Sequence, residues 1–265
     1  EADFWRLTLL GRSLDAIPPA LRPELAIRFD NVGERRMGLP SIYNRAIAGC
    51  PPSSHILFVH DDVFIHDAFV CHRITEGLSG ADIIGLAGSR GSNPVQPSWG
   101  LEFDQDLNGL GWQQGPGIQL SGAVSHTTAR TTASPPAVSL GTYGPISAQC
   151  DLLDGLFLAA RIEGLRAHDI HFDEQFDFHL YDLDFCRAAR NAGLRLWTWP
   201  VLVTHGSGGN FCSPEWKMGA RRYLDKWASI ERHKTGLRAA RDVRAFVPPS
   251  SDGAEHDPMP RSSSA

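Results

Sequence analysis

The run ILFV at residues 56–59, ending abruptly in His60-Asp61-Asp62, constrains this chain more than any other feature. Four consecutive apolar residues without helical spacing read as a short strand covered on both faces, the pattern of a central parallel strand. Helical patterns flank it. One starts at Gly38-Leu39-Pro40-Ser41, places Ile42, Tyr43, Ala46 and Ile47 on a single face, and stops at Pro51-Pro52. A second helix is predicted near residues 68–78 and a strand over 81–87. This alternation predicts an α/β fold with right-handed crossovers.

The remaining segments fit the same scheme. Phe4, Leu7, Leu10 and Leu14 predict an opening helix, and residues 24–31 (ELAIRFDN) a short strand with a turn-prone end. Between residues 88 and 148 the pattern dissolves into Gly, Ser, Pro and Thr, with short strands expected only at 118–126 and 137–140; a region this long is usually functional. Regularity returns at 152–161, in a helix over 181–192 and in a strand over 195–203. Ser213 and Pro214 then open a last helix as N-cap and first helical residue. Its stripe Trp216, Ala220, Tyr223, Leu224, Trp227 and Ile230 keeps the helical period. One domain over residues 1–247 and a disordered tail over 248–265 are expected, the tail having little to bury.

Composition narrows the partners. With 25 basic and 30 acidic residues the net charge is −5, which gives no basic field for nucleic acid. No apolar run approaches the roughly 20 residues that span a bilayer, and the charged, amphipathic opening EADFWRLTLLGRSL is unlike a secretory leader. Five widely spaced cysteines form no metal-ligand pair and read as buried thiols of a reducing compartment. A cytoplasmic location is expected.

Three polar clusters interrupt the apolar pattern. In open parallel sheets ligands bind beyond the carboxyl ends of the strands. His60-Asp61-Asp62 at such an end suits a hard divalent cation, with the imidazole favouring Mn²⁺ over Mg²⁺; a solvated acidic turn is the alternative. In YDLDFCRAAR, Phe185, Cys186 and Ala189 follow Asp182 at helical spacing and put it on the apolar face, while Asp184 lies about 200° round the helix. A carboxylate there costs free energy unless it is hydrogen-bonded or used, and a first-turn acid is the alternative. In LVTHGSGGN a strand ends at His205 and enters a glycine-rich loop whose N–H groups can approach phosphate. Trp99, Phe103 and Trp112 read as anchors of the irregular region more than as a sugar platform.

In order, LPSIYNRAI, ILFVHDDVFI, LLDGLFLAAR, FDEQFDFHLYDLDFCRAARNAGLRL and PVLVTHGSGG resemble a family 2-like glycosyltransferase of the GT-A fold, over most of residues 39–209. The resemblance implies a Rossmann-like, mainly parallel sheet flanked by helices, lacking the family's first strand because the chain opens after its place. It implies a metal-dependent inverting transferase, hexosyltransferase-like, with Mn²⁺ or Mg²⁺ as cofactor. The donor is a nucleotide-sugar, a UDP-sugar first among them, and the acceptor a hydroxyl of a saccharide, lipid-linked or protein partner. His60-Asp61-Asp62 takes the place of the D-x-D motif, with Asp62 and His205 as metal ligands and Asp61 toward the nucleotide. Asp182 takes the place of the catalytic base, and Tyr181 replaces the glutamate before it. Asp154 and Gly155 would line the donor pocket, and Asp30 and Asn44 would look toward the nucleotide. Two other classes stand beside this reading. One is a degenerate nucleotide- or sugar-binding domain without turnover. The other is a metal-dependent nucleotidyltransferase or diphosphate hydrolase, for which Arg35-Arg36 would be the phosphate contact.

Overall fold

A computed structural model describes residues 2–29, 31–91, 93, 95–113, 119–127 and 138–245. The expectations for Asp30 and for the tail over 248–265 lie outside the described residues. In chain order the elements are α1 (Ala2–Leu7), α2 (Leu9–Ala16), α3 (Leu39–Gly49), β1 (His55–Val59), β2 (Val63–Ile65), α4 (Val70–Gly80), β3 (Ile83–Gly85) and β4 (Ala87–Ser89). Then come β5 (Leu101–Phe103), β6 (Gly109–Trp112), β7 (Leu120–Thr127), β8 (Val138–Thr142), β9 (Gln149–Cys150), β10 (Leu152–Leu153) and β11 (Phe157–Arg161). The chain closes with α5 (Ile162–Ala167), α6 (Tyr181–Asn191), β12 (Leu196–Thr198), β13 (Val203–His205) and α7 (Pro214–Ala245). Two compact units are distinguished: Glu1–Lys226 holds all the strands and α1–α6, and Trp227–Ala265 carries the later part of α7.

The architecture is mixed α/β, but the sheets are mostly antiparallel, which corrects the mainly parallel expectation. One sheet runs β1-β11-β3-β12-β9 and another β10-β4-β7-β13-β2, with β8 on β7; β5 and β6 form a hairpin. Only β3/β12 and β7/β13 are parallel among the described pairings. β1 is an edge strand paired antiparallel to β11, not a central parallel one. Its burial alternates along the strand, so one face packs inward and the other is partly open. β11 lies between β1 and β3 and runs antiparallel to both.

Several sequence-predicted elements break where local chemistry demands. The opening helix splits at Thr8, whose hydroxyl caps α2 by accepting the Gly11 N–H at 2.9 Å. Residues 22–29 form no strand, and Leu25, Ile27 and Phe29 stay partly exposed. The 81–87 and 195–203 runs each divide into two strands, the second around Pro200, which cannot donate to a ladder. The strands expected near 118–126 and 137–140 are present as β7 and β8, and β7 pairs with β4, β8 and β13. α7 begins as predicted, with the Trp216 N–H donating to Ser213 Oγ at 3.1 Å.

The core gathers Leu14, Val63, Ile65, Val70, Ile84 and Phe157 beneath the sheets. A second polar position differs from expectation. Asp184 is 1% exposed and sits 2.7 Å from Lys226 Nζ, so the residue read as pointing away from the apolar face is the more buried of the two acids. Lys226 also binds Asp173 at 2.7 Å, joining the start of α7 to the approach to α6.

Candidate functional site

The turn between β1 and β2 is built by its own backbone. The His60 N–H donates to the Leu156 carbonyl at 3.1 Å and the Val63 N–H to the His60 carbonyl at 3.3 Å. The turn brings the His60 and Asp62 side chains to the same side, with His60 Nδ1 4.0 Å from Asp62 Oδ1. β2 pairs with β13 in a register that sets His205 opposite Val63, and the Gly206 N–H donates to the Asp62 carbonyl at 2.8 Å. His205 Nε2 thus reaches 3.3 Å from the same oxygen. One donor atom from each of His60, Asp62 and His205 can be chosen within 4.8 Å of the others.

This set fits a divalent cation. Asp62 Oδ1 is buried beside His205 Nε2 at 3.3 Å, and an anionic oxygen so placed suits a cation. Burial pushes the Asp62 carboxyl up, but hydrogen bonds from His205 and Ser207 and the neighbouring imidazoles outweigh it and hold the carboxyl at about 2. His205 is lowered by burial yet raised overall by its bond to and attraction toward Asp62. His60 is lowered, chiefly by burial and partly offset by Asp154 and Asp62, and so favours the neutral ring that ligates metals. A further imidazole, His126, stands beside His205 in the β7/β13 register, with ring centroids 5.7 Å apart.

Across the same cavity, of about 2110 Å³, lies Asp182. Leu180 at the helix N-cap adopts the left-handed conformation (φ +65°) and turns the chain so that Tyr181 and Asp182 open α6 toward the cavity. Asp182 keeps some exposure there while protein atoms closely surround its carboxyl. Burial, and then the charge of Asp154, raise that carboxyl to about 7, against the pull of backbone N–H groups of Leu183 and Gly155. The Gly155 N–H donates to Asp182 Oδ2 at 2.9 Å. A Cβ at position 155 would lie 2.8 Å from the Asp182 Cβ and from the Tyr181 hydroxyl, so only glycine permits this approach. Asp154 accepts from Trp99 Nε1 at 2.8 Å and from its own turn's Leu156 N–H at 2.9 Å.

The sequence-predicted residues therefore divide. Asp61, Asp62, Asp154, Gly155, Asp182 and His205 all line the cavity. Asn44 does not. Its amide donates to the Phe172 carbonyl at 2.8 Å and to Glu174 at 3.1 Å, and its oxygen accepts the Phe172 N–H at 2.8 Å, binding α3 to the segment before α6. Arg36 is engaged with Asp177 at 2.5 Å. Trp99 anchors its loop through Asp154, and Phe103 packs in a tilted arrangement on Trp216 with ring centroids 4.5 Å apart, whereas Trp112 remains 46% exposed at the cavity rim. The sequence placed the His60 imidazole in a cation-suited run, the resemblance named only Asp62 and His205 as ligands, and neither pointed to His126. His60 meets Asp62 through the turn over residues 60–63, and His126 meets His205 through strand register, which no local signal carries.

Five cysteines remain free thiols, two of them buried, and no helix among the described residues is long and apolar enough to cross a membrane. No protein-family model matches the chain, and no curated protein matches it.

Proposed function

We propose that this chain transfers a sugar from a nucleotide-sugar donor to an acceptor hydroxyl, with inversion and with a divalent cation, on a GT-A-like scaffold. The observation that carries the reading is one cavity lined both by a cation-ready His/Asp cluster and by a carboxylate held at about 7. Motif order along the chain supports the same reading.

Asp62 and His205, with His60 beside them, would hold the cation, which when bound supplies positive charge against a diphosphate leaving group. Asp182 acts as general base on the acceptor hydroxyl. As the acceptor oxygen bonds to the anomeric carbon, the bond to the diphosphate breaks; the proton goes to Asp182 and the electron pair to the leaving group. A base is most effective when its pKa lies near the working pH, and burial beside Asp154 provides that. The Gly155 N–H fixes the carboxyl orientation through Oδ2. Arg36, one of the two arginines that a nucleotidyltransferase would use as phosphate contact, pairs with Asp177 at the surface.

Thermal stability with UDP, GDP, dTDP and CDP, each with and without Mn²⁺, tests the donor site. Occupancy at a hundredfold excess over Kd adds about 2.7 kcal/mol. The expected result is a shift for one nucleotide only when metal is present, followed by release of that nucleotide from its sugar conjugate in the presence of acceptor. No shift from a well-folded sample would remove the reading.

A further inference from the structure

His60 and Tyr181 are 121 positions apart, yet they meet: His60 Nε2 lies 3.0 Å from the Tyr181 hydroxyl. They are also the two positions at which the sequence departs from the glycosyltransferase pattern it otherwise resembles. Taken singly, each departure reads as decay of a site. In contact, they form one unit.

A neutral imidazole carries one proton and one lone pair, on opposite nitrogens, and the hydrogen bond made by one decides what the other offers. If the Tyr181 oxygen accepts the His60 Nε2–H, the lone pair is on Nδ1. That nitrogen is the one 4.0 Å from Asp62 Oδ1, which in turn is 3.3 Å from His205 Nε2. The phenol's own hydrogen has the Gly155 carbonyl at 3.5 Å and the Tyr43 hydroxyl to go to. Tyr181 is buried and ringed by Tyr43 and Phe172, with centroids 5.8 and 5.9 Å away, so the hydroxyl cannot swing off His60 without disturbing the aromatic cluster.

We propose that Tyr181 is a positioning residue that presents His60 Nδ1 to the metal site, so that His60, Asp62 and His205 form a two-histidine, one-carboxylate centre selective for first-row transition ions such as Mn²⁺ and Co²⁺ over Mg²⁺. This rests on the metal-site part of the function proposed above and not on sugar transfer. Mg²⁺ keeps a shell of oxygen ligands and water, and a second imidazole in place of a carboxylate gives it little; Mn²⁺ and Co²⁺ accept imidazole readily. Removing such an orienting partner typically weakens metal binding roughly 10- to 100-fold.

The test is titration calorimetry of the chelator-stripped full chain with MgCl₂, MnCl₂ and CoCl₂ alone, together with the visible absorption of the Co²⁺ form. Wild type is expected to bind Co²⁺ and Mn²⁺ at least about tenfold more tightly than Mg²⁺. Tyr181→Phe, which keeps the ring, should weaken Co²⁺ binding roughly 10- to 100-fold and alter its absorption, with Mg²⁺ affinity unchanged. His60→Asp should raise Mg²⁺ affinity and collapse the preference. Equal affinities for Co²⁺ and Mg²⁺ in wild type, or a folded Tyr181→Phe protein indistinguishable from wild type in both affinity and spectrum, would overturn the proposal. Transition-ion selectivity in a protein that moves no sugar would uphold it while defeating the transferase reading. Sugar transfer supported equally by Mg²⁺ would do the reverse.

Discussion

Asp182 carries the sharpest expectations at the scale of single residues. Asp182→Asn removes the proton acceptor without changing size, so transfer should be abolished while donor affinity stays nearly constant; an active variant would end the assignment. Because the carboxyl is raised to about 7, the ionised, basic form grows in as pH rises, and activity should climb through an acid limb near that value. Asp154 contributes to the raised value by like-charge repulsion. Asp154→Asn should therefore move the limb to lower pH, which a pH–rate profile of the variant would show. The stability consequence has the opposite sign. The proton is held more tightly in the folded state than in the unfolded one, so Asp182 removes stability as pH rises from the ordinary carboxylate range to about 7. Asp62, held at about 2, contributes stability above the ordinary carboxylate range that is lost as pH falls toward 2.

Gly155 and Asn44 set the expectations at the scale of elements. Gly155→Ala would drive a methyl group against Asp182 and Tyr181 where β10 turns into β11. The expected outcome is loss of activity with destabilisation of about 1–3 kcal/mol, measurable as a lower urea midpoint. Asn44→Ala should also cost about 1–3 kcal/mol, because it leaves the Phe172 amide and carbonyl unpaired between α3 and the segment before α6. Nucleotide affinity should not change; a selective fall in affinity would restore the nucleotide-facing role the sequence implied. Helices α3, α4, α6 and the start of α7 were legible because 3.6-residue spacing is a local property, as is the Ser213 cap of α7. Strand breaks at Leu86 and Pro200 were less so, since a continuous apolar run hides a change of sheet. The left-handed Leu180, which costs a leucine about 1–2 kcal/mol, has no sequence signature at all, although it aims the start of α6.

For the whole molecule, the alternation of apolar runs and amphipathic helices told the class, α/β, and the positions of the polar clusters told which turns face one cavity. Strand direction was not legible. ILFV reads the same whether its neighbour runs parallel or antiparallel, and only long-range pairing with β11 decides. The burial of Asp184 was hidden for the same reason, since Lys226 reaches it from 42 positions away. The bond between His60 and Tyr181 likewise joins two residues whose separate oddities gave no hint of contact. The edge position of β1 has a consequence for colloidal behaviour. Among the described residues no strand pairs with its outer side, its sequence HILFV holds no carboxylate, lysine, arginine or proline, and the gatekeepers Pro51-Pro52 and Asp61-Asp62 lie outside it on either end. An edge of that kind recruits strands from neighbouring copies, so concentrated solutions should show light scattering that grows with protein concentration and is relieved by a short peptide that docks on the open edge.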